Sequence, residues 1–409
     1  MSKIIKILAQ KITEQSVAVE DWFAQKFRQT PPNFYNSVDL RHSEFKIAPV
    51  DTNCFPAGFN NLSEMSKEQA KIIADKFITQ YFSQAKNILI APENHTRNIH
   101  YLENVLELQE ILQSTGRHVV IGSLIEDLQE EMIIDLENGK KITLHPLTKN
   151  GAQLTTVDGF APDLIILNND LTGGIPQILQ DIKIPITPSV KLGWYQRTKS
   201  HHFSFYNNLA IEFAALINVD PWLISSMHRS CHDVNFKDRT GIECLAKYVD
   251  ELMAKLKEKY REYGINEEPY CYVKADNGTY GMAVMPVFSS EDILEINKKE
   301  RNKMNMLKES TQNTMVMIQE GIKTVDKING NVAEPMIYMI GGQVVGNLFR
   351  ANDQRDQLES LNAAGASFFD LNNLEEAQIE LGSEKKDVAI VYSVISRLAA
   401  LAAALEDVE

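Results

Sequence analysis

Val273-Lys274-Ala275-Asp276-Asn277-Gly278-Thr279-Tyr280-Gly281-Met282 carries an apolar strand into a lysine and then into a glycine-bearing loop, and AVMPV (283–287) returns as a second strand. Glycines let backbone N–H groups approach a phosphate closely, and a lysine at a strand end adds a point charge. An ordinary hairpin with a surface lysine has the same local pattern, so its meaning depends on what surrounds it.

Downstream, TMVMIQEGI (314–322) is an apolar strand ending in Gln319-Glu320-Gly321-Ile322. Such an edge can offer backbone groups to an adenine and a carboxylate to a ribose, or simply turn into solvent. AEPMIYMIGGQVVGNLFRA (333–351) predicts a hairpin about Gly341-Gly342, opening with Glu334 and closing with Arg350. Leu358-Glu-Ser-Leu-Asn-Ala-Ala-Gly365 follows, placing Glu359 and Asn362 three residues apart. Magnesium takes such oxygen donors, although asparagine at a turn also serves local hydrogen bonding. Between the two hairpins a helix is expected near 290–309, and the last segment, 388–405, is Ala/Leu-rich and helical.

Upstream, the pattern alternates strand and helix. NILIAP (87–92) is a short apolar run, 98–114 has helical apolar spacing ended by Gly116, and HVVIGSL (118–124) is a second strand. PDLIILNND (162–170) and KIPITPS (183–189) add two more, which predicts a parallel sheet. The N-terminus is helical to about Gln29, and 38–62, dense in Asn, Asp and Pro, reads as a packed, loop-rich stretch. Residues 194–262 read mainly as helix. In MHRSCHD (227–233), His228 and His232 share a helical face at i, i+4, and solvated or structural roles are favoured over zinc.

Composition narrows the classes. The 409 residues carry a net charge of −14 with no basic stripe, which argues against a nucleic-acid binder. No stretch approaches about 20 consecutive apolar residues, so no membrane span is expected. Four scattered cysteines read as reduced thiols of a cytoplasmic protein.

The order of these pieces resembles the ATP-grasp fold: strand, lysine, glycine loop, strand, then a strand ending in Glu, a strand ending in Arg, and E-x-x-N. ITPSVKLGWYQRTKSHHFSFYNNLA (186–210) resembles the entry into the helix whose lysine contacts ATP in such ligases, here Lys199 with Arg197 beside it. More narrowly, VDLRHSEFKIAPVDTNCFPAGFNNL, IAPENHTRNIHYLENVLELQEIL, YVKADNGTYGMAVM, NVAEPMIYMIGGQVVGN and LNAAGA are similar to the proteobacterial type of glutamate–cysteine ligase.

The resemblance implies an α/β chain with a parallel-sheet pre-ATP-grasp domain over 1–192 and an ATP-grasp-like domain over 193–409. It implies ATP and Mg²⁺ with small-molecule substrates, and γ-glutamylcysteine made through an acyl phosphate, the first step of glutathione synthesis. Lys199 and Lys274 would neutralise phosphates under a loop holding Gly278, Thr279 and Gly281. Gln319, Glu320 and Ile322 would meet the nucleoside, and Arg350 the transferring phosphoryl group. Asn362, Glu359 and Glu334 would hold magnesium, although many such ligases have E-x-N where this chain has E-x-x-N. Arg41, Asp51, Asn53, Asn60 and Arg97 would meet the amino acids. Two alternatives remain on the same scaffold: a ligase for another amino acid or peptide pair, and a non-catalytic nucleotide-binding regulator.

Overall fold

The computed structural model describes residues 3–137, 139–277, 284–305, 315–363, 365–375 and 378–408. Its centre is an antiparallel sheet in the order Ser367–Asp370, Gln343–Ala351, Asn331–Ile340, Tyr35–His42 and Ile47–Asn53. The last two strands correct the loop-rich expectation for 38–62. Val38-Asp39-Leu40-Arg41 alternates strictly: Val38 and Leu40 enter the core, while Asp39 and Arg41 turn to the other face. Charges that point into a cleft read in the sequence as loop rather than strand. The Gly341-Gly342 hairpin is as expected, with both glycines at positive φ, as a tight two-residue turn needs.

Two layers cover this sheet. On one face Ile337, Met339 and Phe349 pack against the helices Lys3–Glu14, Lys199–Ile217 and Lys385–Val408. The last of these is long and apolar enough to cross a membrane, but 72% of its most apolar window is buried, as a core helix requires. On the other face Tyr35, Met336 and Tyr338 meet the helices Glu64–Tyr81 and Ile99–Gln113. These helices lie on the parallel strands His118–Ser123, Asn87–Pro92, Leu164–Asn168 and Ile186–Thr187, which neighbour one another in that order. Sequence alternation had located these strands. It did not anticipate the antiparallel arm Met132–Asp135, Lys141–Asn150 and Gln153–Thr156 that extends the sheet.

A third, four-stranded sheet runs His228–Cys231, Val316–Glu320, Cys271–Ala275, Val284–Val287, backed by the helix Ile242–Glu262. His228 therefore lies on a strand, and the helical i, i+4 pairing with His232 is corrected. Of the helix expected near 290–309, the described part, 290–305, holds two short ones, Ser290–Leu294 and Lys298–Asn305. The central sheet also spans the division expected at 192/193, since Tyr35–His42 pairs with Asn331–Ile340.

Candidate active site

The central and four-stranded sheets face each other across a cleft. From the central sheet come Asp39, Arg41, Asp51, Glu334 and Arg350; from the other come Tyr272, Lys274 and Gln319. Strand alternation explains the second set: Cys271 and Val273 enter the core while Tyr272 and Lys274 look across the gap. Lys274 Nζ donates to the Val50 carbonyl at 2.9 Å, and among the described residues no carboxylate lies within ion-pair distance of it. Burial, then the neighbouring Lys199 cation, push its ammonium down to about 7.

Lys199 opens its helix, capped by the Thr198 side chain. Asp276, the acid of the lysine–glycine segment, locks that helix start to the loop. Its carbonyl accepts from Lys199 N at 2.8 Å, and its carboxylate accepts from Ser200 N and Oγ at 2.7 and 2.6 Å. Lys199 Nζ then reaches Asp51 Oδ1 at 2.6 Å over the Trp194 ring. Enclosure opposes the Asp51 charge, but Lys199 and Lys274 outweigh it and hold the carboxyl at about 2. Arg197 stands behind them, forked onto Glu406 of the C-terminal helix at 2.8 and 3.0 Å and donating to the Thr52 carbonyl at 2.7 Å. Glu406 also holds His202.

Glu334 sits between two arginines. Its Oε1 accepts from Arg350 at 2.7 Å and its Oε2 from Arg41 Nε at 3.3 Å. Arg41 further donates to Tyr272 Oη and to the carbonyls of Gln357 and Glu359, which commits its fork to the protein. Arg350 also pairs with Asp39 at 3.0 Å, yet its buried Nε has no hydrogen-bond partner. Gln319 likewise leaves its buried Nε2 unpartnered at the cleft. Glu320, expected at a ribose, turns instead to the opposite face with Val316 and Ile318. There it takes Lys46 at 2.7 Å and Trp222 Nε1 at 3.0 Å. Ile322 is buried. Gly278, Thr279 and Gly281 lie outside the described residues.

A second cavity of about 950 Å³ adjoins the cleft. Asp39, Asp51, Arg350 and Asn362 line both. Of the residues expected at the amino acids, Asn53 and Asn60 line the cavity, while Arg97 is exposed and outside its lining. Asn53 also holds its own turn, accepting from Phe55 N at 2.9 Å. The Glu359 carboxylate is paired with Arg355 at 2.6 Å and faces a different groove. Sequence reading missed Asp39, Glu93 and Asp170. The alternation at 38–41 was the available signal for Asp39; for the other two it was their place at the ends of parallel strands.

A cation-rich cleft that opens into a cavity walled by carboxylates and amides suits an enzyme that brings a polyanion to an amino acid. A family model described as glutamate-cysteine ligase matches residues 9–407, and the chain belongs to that family. It is a ligase that joins glutamate to cysteine as γ-glutamylcysteine, and as a ligase of this family it uses ATP. The fold is similar to the crystal structure of a candidate γ-glutamylcysteine synthetase from Methylobacillus flagellatus KT, with 37% identity over 99% of this chain and 96% of that one and a TM-score of 0.90. A glutathione synthetase-like effector from Globodera pallida is 10% identical over 90% of this chain and 80% of its own, with a TM-score of 0.40. D-alanyl-alanine synthetase A from Vibrio cholerae is 12% identical over 76% and 79%, with a TM-score of 0.35. No curated protein matches the chain.

Proposed function

We propose that ATP occupies the cleft between the two sheets, the amino acids occupy the adjoining cavity, and the reaction runs where the two meet. The observation that carries this reading is the set of four residues common to both spaces: Asp39, Asp51, Arg350 and Asn362. Lys199 and Lys274 neutralise phosphate charge from elements that Asp276 already fixes to one another. A γ-carboxylate oxygen of glutamate attacks the γ-phosphorus, the bond to the bridging oxygen breaks, and ADP leaves. The cysteine nitrogen then attacks the acyl carbon, loses its proton, and inorganic phosphate departs with the former carboxylate oxygen. Arg350, with an uncommitted Nε, stabilises the transferring group.

Magnesium, when bound, would spread phosphate charge over a hard cation with oxygen donors. Asn362 fits that role, with no hydrogen bond to its carboxamide among the described residues, and the ionised Asp51 lines the same spaces. Glu334 and Glu359 fit it less well, being held by arginines. We also take residues 1–192 as the pre-ATP-grasp part, lending its strands at 35–53 to the ATP-facing sheet. Four free thiols suit the reducing cytoplasm.

Phosphate release with ATP, magnesium and glutamate, with and without cysteine, tests the reading when the product mass is recorded. Release that needs both amino acids and yields γ-glutamylcysteine supports it. Release only with another acid and amine retains the site and discards the substrates.

A further inference from the structure

The strand Asn87–Pro92 and its parallel neighbour Leu164–Asn168 both end at the larger cavity, and each hands the chain to an acid. Glu93 follows the first directly, and Asp170 comes two residues after the second. Their positions are built rather than incidental. Glu93 N donates to the Asn168 carbonyl at 3.1 Å and to Tyr101 Oη at 2.8 Å, while Glu93 Oε1 accepts from Asp170 N at 2.6 Å. Asp170 is steadied by Thr172 N on Oδ1, and its carbonyl takes Trp194 N at 2.8 Å. Among the described residues no ion pair links either carboxylate to a cation. Burial, then the Asp170 charge, push Glu93 up to about 7. Two carboxylates held together without a cation either keep a proton between them or take a cationic partner.

The same cavity has an opposite demand. Arg350, 5% exposed, lines it with a guanidinium that shares its Nη1 between Glu334 and Asp39 and, among the described residues, leaves its Nε as a donor to spare for an anionic ligand group. A cavity with an acidic pair and an arginine short of an acceptor fits a ligand carrying a cation and an anion. Cysteine's ammonium could hold such a pair only in passing, because it must lose its proton and stand beside the acyl carbon to attack. The α-ammonium of glutamate is a spectator to the chemistry and is free to be gripped.

We propose that Glu93 and Asp170 form the subsite for the α-ammonium of glutamate, orienting it so that the γ-carboxylate meets the phosphoryl group beside Arg350. This rests on the substrate reading above. Both are positioning residues that set specificity among dicarboxylates, since a diacid without an α-amino group leaves the pair uncompensated.

Steady-state kinetics of the full-length wild type, Glu93→Gln and Asp170→Asn test this, with glutamate and with glutarate, which lacks the ammonium. Loss of one charge-assisted contact is worth about tenfold. The expected result is a glutamate KM raised about tenfold or more, cysteine and ATP KM values within about twofold, and an equal fall in the preference for glutamate over glutarate. An unchanged preference, or a rise in the cysteine KM instead, overturns the proposal. Should either variant fail to fold, the other carries the test. Should both fail, the wild-type glutamate KM decides, rising as pH drops through about 7 if the pair binds an ammonium and staying flat if it does not. A wild type that makes no γ-glutamylcysteine overturns the functional reading itself, and the assay reports that before any variant is compared.

Discussion

Lys46 and Lys274 are both buried lysines whose ammonium groups are driven down by desolvation, yet they do opposite things. Lys46 lies wholly inside, over the Trp222 ring, with the Glu320 carboxylate at 2.7 Å. Its charge is answered within the fold. Lys274 lines the cleft over the Phe203 ring, with the Val50 carbonyl as acceptor and, among the described residues, no carboxylate paired to it. In the cleft as a whole four basic side chains, Arg41, Lys199, Lys274 and Arg350, face three carboxylates, Asp39, Asp51 and Glu334. Burial of a charge therefore does not separate structure from function; the local balance of charge does. Where the fold completes the pair, the charge holds elements together. Where it leaves a cation over, an anionic ligand is required to finish the site.

The largest effect should follow from breaking the balanced pair. Lys46→Met strands the Glu320 carboxylate, and a buried pair cut on one side costs about 3–5 kcal/mol. Urea unfolding should show that loss, and Lys46→Met with Glu320→Gln should recover most of it. Recovery that fails would mean the pair is not the unit described here. On the cleft side, Asn362→Ala should raise the magnesium concentration for half-maximal rate by about tenfold, as losing an oxygen ligand would. Glu359→Gln should move it by less than about twofold, because its carboxylate belongs to Arg355. Equal shifts in the two variants would return Glu359 to the metal set.

The smallest signal is a fraction of a proton. With the Lys274 ammonium near 7, this group is largely neutral at pH 8 in the free protein. A bound polyanion favours the charged form, so nucleotide binding should take up a proton at pH 8 and take up little at pH 6. Nucleotide affinity should accordingly weaken as pH rises from about 7 to about 9. Calorimetry in two buffers of different ionisation enthalpy reads this directly, and no buffer dependence at pH 8 would remove Lys274 from the phosphates.

The same contrast explains what the sequence made legible. NILIAP and PDLIILNND are continuous apolar runs buried on both faces, so their strand character needs no partner to be recognised. Lys274, Arg350 and Asn362 could be singled out because each ends or follows such a run. The strands at 35–53 were obscured because Asp39, Arg41 and Asp51 occupy positions where a solvent-facing strand would also carry charge. Only the third dimension reveals that those charges face one another. Glu320 went astray for a related reason. Adjacent residues on a strand point to opposite faces, so Gln319 at the cleft excludes its neighbour from it. Glu93 and Asp170 lie 77 residues apart and become a pair only through parallel strand pairing.

On the proposed reading, the surplus charge in the cleft serves the nucleotide and not the fold. It is tested most directly by measuring turnover and thermal stability together on Lys274→Met. A neutral side chain there removes an unpaired buried charge, so the melting temperature should hold or rise. kcat/KM for ATP should fall by about 10²–10³-fold, the usual cost of losing one preorganised electrostatic contact. A variant that melts well below the wild type while the folded fraction turns over ATP normally would contradict the account.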